Sequence, residues 1–240
     1  MLDLVSDLAK QTYPMDRLNV VVLDDGGSDG TAEVLSASRD LPYRLTVLRP
    51  SREGDYLSGR RWNECIAATT EQDVFIQVDD VRVRPDFVER HASWHIGSLS
   101  VVTGAKFESD EETWELTRCR RRHLAGPGGV ARETIWTATW GASLSYPRTL
   151  VEAVRREPYE RPFDERMTGW GFHEVEFAYR AVAVGARVIY DPAVGVFHQN
   201  HNTHNDRGRG IDHARHATAG AIRNEAYLLA KHGLTALPRW

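Results

Sequence analysis

Asn19-Val20-Val21-Val22-Leu23-Asp24-Asp25-Gly26-Gly27-Ser28-Asp29-Gly30-Thr31 opens with an unbroken apolar run of strand length, breaks into acid and glycine, and ends at a helix start. An apolar run without alternation is what a strand buried on both faces requires, and such strands belong to sheets covered by helices. A second run of the same kind, Val74-Phe75-Ile76-Gln77-Val78, is followed directly by Asp79-Asp80. Around these two strands the spacing predicts helices over residues 2–10, 32–38, 60–68 and from Pro85 to about 96, with strands over 43–48 and 100–104. The alternation predicts an α/β domain on a mostly parallel central sheet flanked by helices.

The pattern loosens from 106 to 146, where Gly126-Pro127-Gly128-Gly129 punctuates the chain and Trp114, Trp136 and Trp140 offer large anchors. Order returns with a strand over 142–145, a helix from 148, a strand over 187–190 stopped by Asp191-Pro192, and a last strand over 194–197. A polar, glycine-bearing stretch from 198 to 210 reads as a loop before a helix over 213–232. One domain over 1–240 is expected, in three stretches, 1–105, 106–198, and a C-terminal loop and helix at 199–240.

A formal charge of −4 and a pI near 6.2 leave no basic field to attract nucleic acid. The run Arg118-Cys119-Arg120-Arg121-Arg122 is short enough for a solvated face or an anion contact. Two cysteines, Cys65 and Cys119, make neither a disulfide framework nor a zinc cluster, which fits a reducing compartment. No apolar run approaches the roughly twenty residues of a membrane span. The start Met1-Leu2-Asp3-Leu4 lacks the marks of a signal peptide, so a soluble, cytoplasmic protein is expected.

In an open parallel sheet, ligands bind beyond the carboxyl ends of the strands, and two strand ends here carry paired aspartates. Asp24 and Asp25 precede glycines that let the backbone approach a ligand, although a turn-forming Asp24 and a helix cap at Ser28 or Asp29 explain part of the pattern equally well. The spacing fits neither a dinucleotide fingerprint nor a P-loop. Asp79 and Asp80 repel each other unless a cation or hydrogen-bond donors compensate. A divalent ion held by oxygen ligands, magnesium or manganese, is the natural compensation. His198 ends the last strand and is a candidate nitrogen ligand, or else a structural or surface histidine in a cluster with His201 and His204.

A second concentration of chemistry lies at Phe163-Asp164-Glu165-Arg166-Met167-Thr168-Gly169-Trp170-Gly171-Phe172-His173-Glu174-Val175-Glu176. Gly169 and Gly171 hinge the turn and leave Trp170 free to act as a platform for a flat substrate face. Helical spacing begins at once, placing Glu174 in the first helical turn near the positive end of the dipole. That carboxylate is a candidate base, or one of the acids that any helix start favours.

Five stretches, Asp24 to Thr31, Arg60-Arg61-Trp62-Asn63, Val78-Asp79-Asp80 with Pro85-Asp86-Phe87, Gly169 to Glu176, and Val196-Phe197-His198, resemble in order and spacing the motifs of family 2 glycosyltransferases with the GT-A fold. The resemblance implies a nucleotide site of Asp24, Asp25, Arg60, Asn63 and Asp79, with Asp25 on the uracil or ribose of a UDP-sugar. It implies that Asp79-Asp80 is a variant Asp-x-Asp motif, with Asp80 and His198 as ligands of Mn2+ or Mg2+. Glu174 matches the second residue of the family's Glu-Asp pair, the general base, and His173 replaces the first. Trp140, Gly141, Trp170, Gly171 and His173 are implied on the sugar and acceptor side.

Family members begin with a central strand that precedes the first helix here. The expectation is a start downstream of the natural one, or another segment in that place. The activity implied is inverting transfer from a nucleotide sugar to a hydroxyl or amine. The alternatives are a non-catalytic sugar-nucleotide or glycan-binding module and a nucleotidyltransferase.

Overall fold

In a computed structural model the described residues are 1–51, 57–69, 74–78, 81–109, 116–120, 122–155, 160–199 and 210–239, with backbone alone for 109, 116–120, 122, 199 and 210–217. Helix α1 (Leu2–Leu8) leads to strand β1 (Asn19–Leu23), helix α2 (Thr31–Ala37) and strand β2 (Arg44–Leu48). Helix α3 (Ser58–Ala67), strands β3 (Val74–Gln77) and β4 (Val81–Arg82) and helix α4 (Phe87–Ser93) follow. The expected elements of this half are therefore present, their helix ends trimmed by a few residues.

The second half holds β5 (Ser100–Ser109), β6 (Leu116–Arg120), β7 (Arg132–Thr134), β8 (Leu144–Pro147), α5 (Arg148–Ala153), α6 (His173–Ala183), β9 (Arg187–Gln199) and α7 (Gly210–His232). Strands β6 and β7 were not legible in the loose region, because Arg132-Glu133-Thr134 carries no apolar signal and is a strand only through pairing with β9. The two short strands expected around Asp191-Pro192 are one strand, which pairs with β5 on both sides of a bulge at residues 192–195.

The α/β class holds, and the expectation of a mostly parallel sheet is corrected. Strands β1 and β2 form a separate parallel pair, while the other seven form a mixed sheet of order β3-β8-β5-β9-β4, with β6 on β5 and β7 on β9. Within the larger sheet only β5 and β9 run parallel. Their register shifts between Gly104 and Lys106, where a side chain at Gly104 would place Cβ 2.2 Å from the Val194 carbonyl oxygen. Among the described residues nothing pairs with the second edge of β1 or of β3. Between them lies a groove of about 390 Å³, walled by Val20 and Val21 on one side and Val74, Ile76 and Val78 on the other.

Apolar residues fill both faces. One cluster joins Phe75, Tyr146, Phe163, Phe177 and Val188 beneath α5 and α6. A second joins Leu4, Leu8, Val22, Phe87 and Val196 beneath α1 and α4. Between β8 and α4 runs a buried polar chain whose directions follow from its ends. Ser143 donates to the Val194 carbonyl (2.7 Å), so it can accept only from His91 Nε2 (3.3 Å). His91 Nδ1 then accepts from Ser145 (2.7 Å), and Ser145 Oγ accepts from His95 Nε2 (2.8 Å). Both imidazoles are thereby fixed as neutral tautomers.

Candidate functional site

Helix α3 distributes three consecutive side chains in three directions, as the 100° step between helical neighbours demands. Arg61 turns to the end of β1 and binds Asp25 Oδ1 through Nε at 2.8 Å, while its Nη1 holds the Glu64 carboxylate at 3.0–3.1 Å. The two anions raise the Arg61 pKa against the opposing effect of burial. Asp25 Oδ2 has no partner among the described residues, and the side chain is 40% exposed, so one carboxylate oxygen faces outward from a fixed mount. Trp62 turns the other way, its ring edge-on to His173 at 5.6 Å between centroids. Asn63 points inward.

Asp24 forms its own turn. Its Oδ1 accepts from the Gly27 amide at 2.6 Å, and a Cβ at Gly27 would lie 2.8 Å from that oxygen. Asp29 accepts from the Thr31 amide at 3.0 Å in an Asx-type turn that leads into α2, whose N-cap is Gly30. These two acids are used in shaping the loop that carries Asp25. Arg60 pairs along α3 with Glu64 at 3.2 Å.

Two expectations are corrected by burial. Asn63 is 5% exposed, and its amide is satisfied by Phe163 N–H (3.0 Å), Phe163 C=O (2.9 Å) and Glu165 Oε1 (2.9 Å). It staples α3 to the segment before the Gly169–Phe172 turn and has no donor left for a nucleotide. His173 is 2% exposed, and its Nε2 must donate to the Met167 carbonyl at 2.9 Å. Burial lowers its pKa, with Glu174 and Glu176 working in the opposite direction. It is a neutral residue that braces the turn from inside rather than a sugar contact.

The turn itself meets the expectation made for it. Gly169 (φ 81°) and Gly171 (φ 96°) take the left-handed conformations that glycine tolerates, and Phe172 (φ 68°) does so without that freedom. Trp170 stands 54% exposed between them. Glu174 follows as the second residue of α6, half-buried, and its backbone carbonyl accepts from Thr139 Oγ1 at 3.3 Å. Among the described residues its carboxylate makes no hydrogen bond or ion pair.

The segment after Thr139 carries this site to the end of β3. A Cβ at Gly141 would lie 3.0 Å from Gln77 Nε2 and 3.3 Å from the Trp62 ring, so a side chain is crowded where β3 ends and α3 passes. Trp140 donates Nε1–H to the Gly104 carbonyl at 2.8 Å and packs on the core, which makes it an anchor of this segment. His198 pairs in the β4–β9 ladder with Val81, the residue that follows Asp80 in sequence. Asp79 and Asp80 themselves lie outside the described residues, as do His201 and His204. Among the described residues no three potential ligands assemble as a metal centre.

The model of the family described as "Glycosyl transferase family 2" matches residues 1–162. The chain belongs to this family. No curated protein matches it significantly. In fold the family 2 domain is similar to S. aureus TarS, with a TM-score of 0.59 and 18% identity over 82% of this chain and 34% of that one. A TarS structure of residues 1–349 gives a TM-score of 0.55 and 18% identity over 80% of this chain and 56% of that one. GalNAc-T7 with UDP, GalNAc and Mn2+ gives 0.61 and 16% identity over 81% and 40%. The family 2 domain thus spans between about a third and just over half of the solved chains it matches, and the GT-A fold holds. Among its described residues no helix is long and apolar enough to cross a membrane.

Several contributors to this site went unread in the sequence. Arg61 was half-visible, because adjacent arginines on a helix cannot share one environment. Glu176 is fully buried and takes hydrogen bonds from Arg180 Nε (2.9 Å), Lys231 Nζ (2.5 Å) and His232 Nε2 (3.0 Å). Burial alone raises a carboxyl pKa, but these three partners bring Glu176 down to about 2. Lys231 also reaches Asp164 at 2.6 Å, tying α7 to the start of the turn segment. The Glu176–Arg180 spacing is legible in the sequence; the lysine 55 positions away is not.

Proposed function

We propose that this domain is an inverting glycosyltransferase that moves a sugar from a UDP-linked donor to a hydroxyl or amine of an acceptor. The observation that carries the reading is the carboxylate of Glu174, unpartnered among the described residues, at the start of α6 behind a turn that presents Trp170. A helix start favours the ionised carboxylate that a base needs. Glu174 takes the proton from the acceptor as that atom attacks the anomeric carbon from the face opposite the leaving diphosphate. One displacement of this kind inverts the centre. Trp170 offers its ring to a sugar or acceptor face, and the Gly141 segment brings backbone close to the donor.

On the donor side Asp25, held by Arg61, presents Oδ2 to a ribose hydroxyl or the uracil N–H. Family membership and the carboxylate-imidazole donor set support Asp80 and His198 as ligands of Mn2+ or Mg2+, with Asp79 toward the ribose, and the β4–β9 register that sets His198 against Val81 fits that pair. Such an ion supplies Lewis-acid neutralisation of the departing diphosphate. GalNAc-T7, solved with UDP and Mn2+, is the fold relative that favours this choice of donor and metal. The sparse cysteines fit a cytoplasmic setting.

The test is nucleotide release from UDP-, GDP- and dTDP-sugars together with calorimetry of UDP with and without Mn2+. The Glu174→Gln protein is expected to lose about 10²–10⁴-fold in turnover while binding UDP as the parent does. Undiminished turnover removes Glu174 from its role, and equal UDP affinity with and without Mn2+ removes the metal.

A further inference from the structure

The turn from Thr168 to Phe172 takes three left-handed conformations, one of them at a phenylalanine. A non-glycine residue in that region is strained and persists only where surrounding structure enforces it. The enforcement comes from the first described turns of α7. Asn224, 1% exposed, donates Nδ2–H to the Gly171 carbonyl at 2.9 Å. One residue earlier, Arg223 Nη2 donates to the Thr168 carbonyl at 2.6 Å. Gly220 lies flat on the Trp170 peptide, where any Cβ would come within 2.7 Å of the Trp170 nitrogen.

All three contacts fall on the backbone of the turn, on both sides of Trp170, and none uses its indole. The turn is gripped while its side chain is left to solvent. The far end of α7 is moored separately, through Lys231 to Asp164 and Glu176, so loss of a grip at 224 leaves the helix in place.

We infer that Asn224 is a positioning residue, which acts through the Gly171 carbonyl to fix the direction in which Trp170 and Glu174 face the substrate. This rests on the reading of Glu174 as the base. Its consequence for rate follows from the sensitivity of displacement reactions to geometry, where a shift of about 1 Å in a reacting group costs up to about 10²-fold.

The experiment compares the parent with Asn224→Ala and the near-isosteric Asn224→Leu. One readout is the slow hydrolysis of UDP-sugar by water. The other is fluorine NMR of protein labelled with 5-fluorotryptophan, with the Trp170 line assigned from Trp170→Phe. The expected result is a fall in kcat of at least tenfold with KM for the UDP-sugar within twofold, and a shift of the Trp170 line while the lines of the other six tryptophans stay put. An unchanged kcat in both variants overturns the proposal, whether or not the Trp170 line moves. A drop in kcat accompanied by movement of every tryptophan line also overturns it, as the sign of a general loss of structure. A parent protein that hydrolyses no nucleotide sugar overturns the enzymatic reading instead, a result distinct from either.

Discussion

Lowering the pH from 7.5 to 5.5 should cost this domain roughly 3 kcal/mol through His91 and His95 alone. Burial holds the pKa of His91 down to about 3, with His95 as a second cause, and that of His95 down to about 4. A proton on His91 Nδ1 would set a donor against the Ser145 hydroxyl that donates to it, whereas His95, its Nδ1 3.3 Å from Ser100 Oγ, is kept neutral by burial.

In the unfolded chain both titrate near 6.5, so below that value the unfolded state binds protons that the folded state refuses. Their contribution is therefore intact above about pH 6.5 and is lost as the solution acidifies toward the folded values. Each histidine costs a little over 1 kcal/mol between pH 7.5 and 5.5, or roughly 3 kcal/mol for the pair. His173, lowered by burial too, adds in the same direction. Against a typical stability of 5–15 kcal/mol this is a large fraction.

Urea denaturation at constant ionic strength reads it directly, with a midpoint shift of about 1 M for a slope of 2–3 kcal/mol/M. In His95→Gln, which keeps a donor toward Ser145, the pH-dependent loss should shrink by about half. An identical loss in parent and variant would refute the assignment of the proton uptake to this pair.

Lys231→Met leaves Glu176 and Asp164 short of a cation in a buried setting and should cost about 3 kcal/mol in chemical denaturation. The contribution of Glu176 is present above its unfolded value near 4.5 and disappears as pH falls toward about 2, so the acid-unfolding limb of this variant should move to higher pH. Gly104→Ala should destabilise by about 3 kcal/mol or more, because its Cβ meets the Val194 backbone and the β5–β9 register has no room to yield; an expressed variant with the parent's urea midpoint would contradict this. Asp25→Asn should weaken UDP binding about tenfold in calorimetry, as a charge-assisted hydrogen bond to the nucleotide is replaced by a neutral one, while leaving the thermal midpoint within a few degrees.

Much of the site was readable because its signals are local. Glycines on either side of Trp170 announce a turn, and helical spacing after it places Glu174 near a helix start. Asn63 and His173 show where that reading stops. Both sit inside matching motifs, yet each is turned inward to hold backbone carbonyls, because the neighbours that bury a polar side chain come from segments remote in sequence. The sheet tells the same story. Single strands were legible as apolar runs, but the antiparallel pairing of β3 with β8 and of β5 with β8 depends on how the chain returns, which no run of residues records.

The sequence alone determined the α/β character, the acid-glycine turn after β1 and the hinged turn before α6, since these follow from propensity and periodicity within a few residues. Only the tertiary structure decided that Arg61 mounts Asp25, that Glu176 is buried among cations rather than shared with solvent, and that α7 grips the turn at Gly171. Those outcomes rest on contacts between positions 36, 55 and 53 residues apart. The free energy of such contacts depends on burial, which exists only once the chain has packed.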